Sequence, residues 1–450
     1  MEEIAAVRVQ PVLARVYAEG WQSWSPVGLQ PAAAPPPPVT SVVELTETCQ
    51  YQRAAPEGTH AGAGLLAIEP GEGAPPVVFG AHAVAERVPV IQAVLRDDQL
   101  IVSADGPVVE ATDSGPFGML GALGRWGERF AGDEVTVGGR PVPAVWCSWY
   151  QYHDQVTAAD VSLNLGRMAA LELAADVVQV DAGWAAAPGD WLSVSPRFGD
   201  LRGLARQITD MGRRPGIWIA PWMVGRSSEL MSAHPDWLVR SPGSGEPVAT
   251  GAGPGQECLA LDLTVPAAAE YLGTVLRTLG EWGFEYFKID FCYAGAVEGR
   301  RHDDLPGVAA YRHGLNLVRS AIGPRALLLG CGAPLLPSIG LVDAMRVGPD
   351  IAASWEPASG DGSSWSAPCQ RNASRNVISR AWQHGRLWVN DPDCLMLRPS
   401  VERREDWAAL VARYGGLRAS SDAVDELDRW GLEQTRQLLA GASPEPITPS

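Results

Sequence analysis

Short apolar runs alternate with amphipathic segments from residue 143 to residue 439. Eight runs occur, at residues 143–150, 177–184, 214–222, 258–264, 286–291, 326–334, 344–352 and 386–394. Segments of helical period lie between or after them, at residues 158–173, 201–211, 267–282, 308–322, 370–383, 401–414 and 423–439. A strand followed by a helix, repeated in this way, predicts parallel βα units. Eight units in one domain predict an α/β fold closed into a (β/α)8 or TIM barrel.

An open, doubly wound sheet is the alternative fold for the same pattern. Such a sheet usually carries a glycine-rich phosphate-binding loop after its first strand. The residues at the end of the first run, WCSWYQYHD, include no glycine. The barrel is therefore the favoured fold.

Residues 1–115 have a different pattern, in which proline and glycine separate short runs of alternating apolar residues. The runs lie at residues 42–45, 65–68, 76–79, 88–95 and 100–102, and the proline-rich stretch 31–38 is interpreted as a stiff loop. This pattern predicts an antiparallel β domain. A helix is predicted at residues 119–130, before the first run of the barrel.

Composition narrows the class of protein and its partners. Of 450 residues, 46% are hydrophobic and 19% are charged, which is typical of a globular protein. The sequence contains no uninterrupted apolar window of 18 residues and no signal peptide, which predicts a cytoplasmic protein. A net charge of −17 repels phosphate backbones and anionic lipid, so we expect no nucleic-acid or membrane partner. Seven scattered cysteines and seven histidines have no metal-binding spacing, so we expect neither metal nor cofactor.

Polar and aromatic residues stand at the ends of the apolar runs. In a (β/α)8 barrel the active site lies at the carboxyl ends of the strands, so these side chains are expected to converge. They are Trp149, Tyr150, Asp181, Trp218, Asp262, Lys288, Asp290, Cys331, Arg346, Asp350, Asp391 and Asp393.

Asp290 ends the fifth run, and Lys288 lies two residues earlier. Strand geometry points both side chains to the same face. A cation beside a carboxylate keeps it ionised at neutral pH, which suits a nucleophile. The alternative interpretation is a buried ion pair that only stabilises the barrel.

Asp350 ends the seventh run, four residues after Arg346. A second carboxylate across the mouth of the barrel could protonate a leaving oxygen. Alternatively, Asp350 caps the segment that follows it, and Glu356 is a nearby rival for the acid.

The remaining candidates have structural alternatives. Trp149, Tyr150 and Trp218 could stack on a sugar ring or pack inside the barrel. Cys331, in GCGAP, could be a pocket residue or an inert core thiol. The sequence NDPDC after the eighth run could orient other groups, but closure of the barrel is the favoured interpretation.

Taken together, these motifs resemble glycoside hydrolase family 36, the bacterial-type α-galactosidases. In chain order they are WQSW, WCSWY, GIWIAPW, YFKIDF followed by AGAV, LGCGAPLLP, MR-GPD and WVNDPDC, and they extend over residues 21–439. The resemblance implies an N-terminal antiparallel β-sandwich, a (β/α)8 barrel and usually a small C-terminal β domain. We therefore expect a trimmed sandwich-like domain with a linker over residues 1–140. The catalytic barrel is expected over residues 141–450, with the C-terminal β domain absent or vestigial.

The resemblance also implies a reaction and its residues. Terminal α-galactosides, as oligosaccharides or glycosides, would be hydrolysed with retention, with Asp290 as nucleophile and Asp350 as general acid/base. Galactose-binding positions of the family match Trp149, Tyr150, Asp181, Trp218, Lys288, Cys331 and Arg346. A tryptophan that the family places over the active site from its N-terminal domain matches Trp24.

The chain departs from the family pattern at Ala182, where members commonly carry a second aspartate beside the one matched by Asp181. Three alternatives therefore stay open: hydrolysis of another α-glycoside such as an α-N-acetylgalactosaminide, transfer to a sugar acceptor, and carbohydrate binding without catalysis. Oligomers of the family use the outer domains, so the formation of a homo-oligomer also stays open.

Overall fold

A closed sheet of eight parallel strands forms the centre of the molecule in the computed structural model, which describes residues 1–132, 141–253, 255–358, 364–443 and 445. In chain order, barrel strands one to eight are Ala144–Cys147, Val177–Val180, Arg214–Ile219, Tyr286–Ile289, Leu327–Gly330, Ala344–Arg346, Val389–Asp391 and Arg418–Ser420. Strand one pairs in parallel with strand eight. The amides of Gly416 and Leu417 donate to the Asn390 carbonyl at 3.1 and 2.8 Å, and they join strand eight to strand seven. The predicted (β/α)8 barrel is thus confirmed.

One predicted barrel strand is wrong, and one was missed. The run 258–264 contributes Gln256–Ala260, which pairs antiparallel with Met223–Gly225 and Ala249–Gly253 in a small separate sheet. Strand eight, Arg418–Ser420, is short and contains Arg and Ser, so it gives no apolar signal. The predicted count of eight was right because these two errors cancel. Asp290 consequently follows strand four rather than five, and Asp350 follows strand six rather than seven.

Helices cover the outside of the barrel at the predicted positions. The main ones are Ala158–Ala170, Leu201–Asp210, Pro266–Glu281, Gly307–Ile322, Gln370–Ser379, Arg404–Tyr414 and Arg429–Ala440. The first begins at a capping box, in which the side chains of Thr157 and Asp160 accept from each other's backbone amides. Within the described ranges, no helix combines the length and apolarity needed to cross a lipid bilayer.

Two antiparallel sheets precede the barrel. One contains Glu2–Arg8, Gln99–Ala104, Val90–Arg96 and His60–Ala63, and the other contains Leu29–Pro31, Arg15–Ala18, Leu65–Glu69, Val77–Ala81 and Val108–Thr112. Buried apolar side chains of both sheets, such as Ile68 and Phe79 from one and Ile91 and Val102 from the other, form a common core. The predicted β-sandwich is therefore present.

One predicted strand of the N-terminal region is a helix. The run 42–45 belongs to an α-helix, Val42–Thr48, because Ser41 caps its first turn by accepting from the Glu44 amide. The predicted helix at residues 119–130 is confirmed as Gly118–Ala131. The predicted domain boundary, between residues 140 and 141, adjoins residues 133–140, which lie outside the described residues, so it stays a prediction.

A buried ion pair fastens the N-terminal region to the barrel. The guanidinium of Arg380 lies 2.9 Å from the Glu19 carboxylate, and both side chains are at most 1% exposed. Arg380 also donates to the carbonyls of Ser23 and Val347, at 2.6 and 3.0 Å. The Ser23 amide in turn donates to the Ala333 carbonyl at 3.1 Å. These contacts hold the segment 21–25 against the carboxyl end of the barrel.

Removing one partner of this pair should destabilise the whole protein. We expect Arg380→Met to lower the free energy of unfolding by about 3–5 kcal/mol, since it leaves the Glu19 charge buried without its cation. Denaturant unfolding measures this change. Arg277→Met is the matched control, because Arg277 pairs with Glu270 at the surface and an exposed pair is worth roughly 0–1 kcal/mol. Equal losses for both variants would contradict the role given to Arg380.

Candidate active site

A pocket with a volume of about 190 Å³ opens at the carboxyl end of the barrel. Most of its wall comes from the residues that end barrel strands or directly follow them, as expected for this fold. It is lined by Trp24, Trp149, Asp181, Ala182, Trp218, Gly253, Lys288, Asp290, Phe291 and Asp350. Seven of the ten residues predicted from the sequence are in this set, and Tyr150, Cys331 and Arg346 are not.

Two N–H donors and a cation surround the carboxylate of Asp290. The indole N–H of Trp218 donates to Oδ2 at 3.0 Å, and the Phe291 amide donates to Oδ1 at 2.8 Å. The ammonium group of Lys288 lies 3.9 Å from Oδ2. Donors and a cation directed at a carboxylate stabilise its negative charge. The role of nucleophile stays a prediction for Asp290.

Lys288 has a closer partner than the expected one. Its Nζ lies 3.0 Å from the Asp181 carboxylate, against 3.9 Å from Asp290. Burial alone would lower the pKa of Lys288, but the carboxylates of Asp181 and Asp290 raise it well above the usual range. Lys288 is therefore a permanent cation between two acids.

Asp181 is buried, and the protein itself contacts both of its oxygens. Oδ2 accepts from Lys288, from the side-chain amide of Gln179 at 2.6 Å and from the Cys147 thiol at 3.4 Å. Oδ1 accepts from the backbone N–H of Ala182 at 2.9 Å. Asp181 thus reaches the pocket wall with a fixed orientation.

Asp350 has an environment different from that of Asp290. Its side chain is 33% exposed, and Oδ1 lies 3.0 Å from Nη1 of Arg346. Burial raises the pKa of Asp350 above its ordinary value. The cations Arg346 and Lys288 oppose this rise, and the carboxylates of Asp290 and Asp181 add to it. A carboxyl group of this kind keeps its proton at higher pH and can act as an acid. The rival Glu356 is 56% exposed and pairs with Arg371 at 2.6 Å.

The three predicted residues outside the pocket wall are buried behind it. The Tyr150 hydroxyl donates to Asp393, and Arg346 contacts Asp391 and Asp393 as well as Asp350. Cys331 is fully buried, and burial raises the pKa of its thiol well above the usual range. Direct contact between these three residues and a sugar stays a prediction.

The acids of NDPDC, Asp391 and Asp393, do more than close the barrel, which is the interpretation that the sequence favours. Their segment does help to close the barrel, because the Val347 amide donates to the Asp391 carbonyl at 3.0 Å. Their side chains, however, bind Arg346 at 3.1 and 2.8 Å. The sequence signal for this role is the pair of acids, Asp391 and Asp393, at the end of the run 386–394. That run follows the one that contains Arg346.

Trp24 comes from the N-terminal region and lines the pocket, as predicted. Its ring meets the rings of Phe291 and Tyr293 edge-on, with centroids 5.2 and 5.9 Å apart. Its indole Nε1 is buried and has no hydrogen-bond partner among the described residues. The N-terminal region therefore completes the pocket.

Parts of the sequence are similar to known proteins. The sequence model of the Melibiase family matches residues 156–315. The α-galactosidase of Escherichia coli is 30% identical over 145 residues, which are 30% of this chain and 20% of that protein. The α-galactosidase AgaA of Geobacillus stearothermophilus is 31% identical over 137 residues, which are 28% and 18% of the two chains. The chain thus aligns with about a fifth of the length of these curated relatives.

Solved structures match more of the chain. The GH36 α-galactosidase AgaA of Geobacillus stearothermophilus matches with a TM-score of 0.62 at 15% identity, over 97% of this chain and 62% of that one, and it shows a common fold. TtGalA, an α-galactosidase from Thermus thermophilus solved with p-nitrophenyl α-D-galactopyranoside, matches with a TM-score of 0.79 at 30% identity. That match covers 99% of this chain and 91% of the Thermus chain. Since this likeness spans nearly the whole of both chains, the protein belongs to glycoside hydrolase family 36, the family of bacterial-type α-galactosidases.

Proposed function

We propose that the protein is a retaining α-galactosidase that releases terminal α-linked galactose from oligosaccharides or glycosides. One observation carries the proposal: two carboxyl groups that line one pocket have different surroundings. Asp290 has a cation and two N–H donors around it, whereas the pKa of Asp350 is raised by burial. A pair of carboxyl groups in one pocket, one of which can keep a proton, suits glycoside hydrolysis by double displacement.

In the first step, an ionised oxygen of Asp290 attacks the anomeric carbon. The glycosidic C–O bond breaks, its electron pair stays on the leaving oxygen, and Asp350 gives that oxygen a proton. Lys288 and the Trp218 indole hold the nucleophile in place through their contacts with Oδ2. The product of this step is a galactosyl ester of Asp290.

In the second step, Asp350 acts as a base. It takes a proton from water, the water oxygen attacks the anomeric carbon, and the ester bond to Asp290 breaks. Asp350 regains its proton and Asp290 its charge. Two inversions at one carbon restore the α configuration of the sugar.

The relatives support galactose as the sugar. TtGalA has been solved with p-nitrophenyl α-D-galactopyranoside and with stachyose. Trp24, Trp149 and Trp218 give the pocket of this chain apolar walls suited to the faces of a sugar ring. Asp181 and Lys288 add polar groups for its hydroxyls.

External nucleophile rescue tests the reaction and both roles together. We expect wild type to hydrolyse p-nitrophenyl α-galactoside, and we expect Asp290→Ala and Asp350→Ala to lose most of this activity, by about 10²-fold or more. Azide can replace the missing carboxylate in each variant. It should yield β-galactosyl azide with Asp290→Ala, by one inversion, and α-galactosyl azide with Asp350→Ala, by two.

Product analysis by NMR identifies the two azides. Glu356→Ala is the matched control, because this acid lies near Asp350 in the sequence but pairs with Arg371 at the surface, and it should keep wild-type activity. The same azide anomer from both variants would overturn the assigned roles. A folded wild type without activity on any α-galactoside would overturn the function itself.

A second candidate function rests on Ala182, which lines the pocket beside Asp181. A methyl group here leaves room and removes a carboxylate that could bind sugar hydroxyls. The same chemistry on an α-N-acetylgalactosaminide, or on another α-glycoside, is therefore the second candidate. Comparison of the wild-type kcat/KM values for p-nitrophenyl α-galactoside and α-N-acetylgalactosaminide decides between them, and the first proposal predicts the higher value for the galactoside.

Ala182→Asp tests the same position directly. We expect this change to raise kcat/KM for the α-galactoside by about tenfold, because a charge-assisted hydrogen bond is worth roughly 1.5–3 kcal/mol. Steady-state kinetics measure the change. Ala182→Asn has nearly the same size without the charge and should gain less. Equal kcat/KM values for the two variants would show that a carboxylate at this position does not recognise the sugar.

A further inference from the structure

Three carboxylates share the guanidinium group of Arg346. Nη1 lies 3.0 Å from Oδ1 of Asp350, Nε lies 3.1 Å from Oδ2 of Asp391, and Nη2 lies 2.8 Å from Oδ1 of Asp393. Arg346, Asp391 and Asp393 are at most 2% exposed. All three nitrogens of the arginine are thus engaged, each by a different residue.

This division limits what Arg346 can do to Asp350. Arginine usually binds a carboxylate with two parallel N–H groups, and a pair of that kind strongly favours the ionised acid. Here Asp391 and Asp393 engage the other two nitrogens, so Asp350 is contacted by Nη1 alone. Arg346 donates to Oδ1 of Asp350 and not to Oδ2. Oδ2 is therefore available to carry a proton.

Both carboxylate oxygens of Asp393 accept hydrogen bonds in addition to the contact with Arg346. Its Oδ1 also accepts from the Cys394 amide at 2.7 Å. Its Oδ2 accepts from the Tyr150 hydroxyl and from the amide of Ile351 at 3.0 Å. The backbone of Asp393 has a φ of 90°, which is rare for a residue with a side chain and persists only where surrounding contacts impose it.

The contact with Ile351 gives Asp393 a second connection to the acid. Ile351 directly follows Asp350, so Asp393 holds the backbone next to Asp350 as well as the arginine that contacts its side chain. Asp391 has one of these connections, through Arg346, but its other oxygen accepts from the amide of Asp393. Asp393 is therefore the residue on which the placement of Asp350 depends most directly.

We propose that Asp393 is a positioning residue for the acid/base: it holds Arg346 and the Ile351 amide so that Asp350 is oriented by one N–H contact and keeps its proton for the leaving group. The inference rests on the proposed function, since it assigns a part in that reaction. Asp393 itself is fully buried and is not among the residues that line the pocket.

The charges around the two acids set the direction of the effect. The ionisable groups that interact with Asp350 include Arg346, Lys288, Asp290, Asp181, Tyr150 and Cys331, and those that interact with Asp393 include Arg346, Asp350, Asp391, Tyr150 and Cys394. Burial raises the pKa of Asp393 to about 7, and the charge of Asp350 adds to the rise. By reciprocity, a negative charge on Asp393 would in turn raise the pKa of Asp350.

Asp393→Asn removes that charge and releases Arg346 towards Asp350. Both effects lower the pKa of Asp350. A general acid is lost as pH rises through its pKa, so the basic limb of the pH profile of kcat/KM should move to lower pH, by about one unit. The loss of activity should also depend on the leaving group, because p-nitrophenolate departs without a proton and a sugar alkoxide does not.

The test compares wild type and Asp393→Asn on two substrates over a range of pH. We expect kcat/KM for stachyose to fall at least about tenfold more than kcat/KM for p-nitrophenyl α-galactoside. Asp422→Asn is the matched control, because Asp422 is a fully buried aspartate paired with Arg398 at 2.8 Å and it makes no contact with Arg346. It should leave the basic limb and the ratio between the substrates unchanged.

A purely structural role for Asp393 predicts a different result. It would lower kcat/KM for both substrates by the same factor and leave the basic limb in place, and that outcome would overturn the proposal. A wild type without activity on either galactoside would overturn the proposed function instead, so the two failures are distinguishable.

Tyr150→Phe is the second variant, in case the asparagine at position 393 prevents folding. It removes one donor from Oδ2 of Asp393 and keeps the ring in its buried site. Asp393 then takes up a proton more readily, so the basic limb should move in the same direction by a smaller amount. A basic limb that stays in place with an active Tyr150→Phe enzyme would count against the proposal.

Discussion

Two buried cations hold together the carboxyl end of the barrel. Lys288 lies between Asp181 and Asp290, and Arg346 lies between Asp350, Asp391 and Asp393. Five acids around two cations leave an excess of negative charge if all are ionised, and buried charges of one sign strongly disfavour further ionisation. The site therefore favours a proton on one of its acids. Burial raises the pKa of both Asp350 and Asp393. Of these two, Asp350 has an exposed edge in the pocket and can pass a proton to a substrate.

The arrangement of strands explains why these charges meet. The carboxyl ends of parallel strands in a barrel point to one rim, so residues far apart in the sequence converge there. Lys288 and Asp290 come from strand four, Arg346 and Asp350 from strand six, and the acids that hold Arg346 from the end of strand seven. The N-terminal region covers part of the same rim, because Arg380 anchors the segment that carries Trp24.

Much of this organisation could be predicted from the sequence, and the errors have physical reasons. The spacing of Lys288 and Asp290 predicted a shared face because side chains alternate along a strand. An apolar run, however, does not distinguish a parallel barrel strand from an antiparallel one, so residues 258–264 were misassigned. The three-residue strand Arg418–Ser420 is too short and too polar to be recognised. The shared guanidinium of Arg346 depends on tertiary contacts between strands six and seven, and no local pattern encodes it.

If Asp290 and Asp350 act as proposed, hydrolysis takes place in two steps with retention at the anomeric carbon. The most direct test follows wild-type hydrolysis of p-nitrophenyl α-galactoside by proton NMR within the first minutes, before the released sugar mutarotates. We expect α-galactose to appear first and the β anomer to grow in later. If β-galactose appeared first, a single displacement by water would have occurred, and the role of Asp290 as a covalent nucleophile would be contradicted.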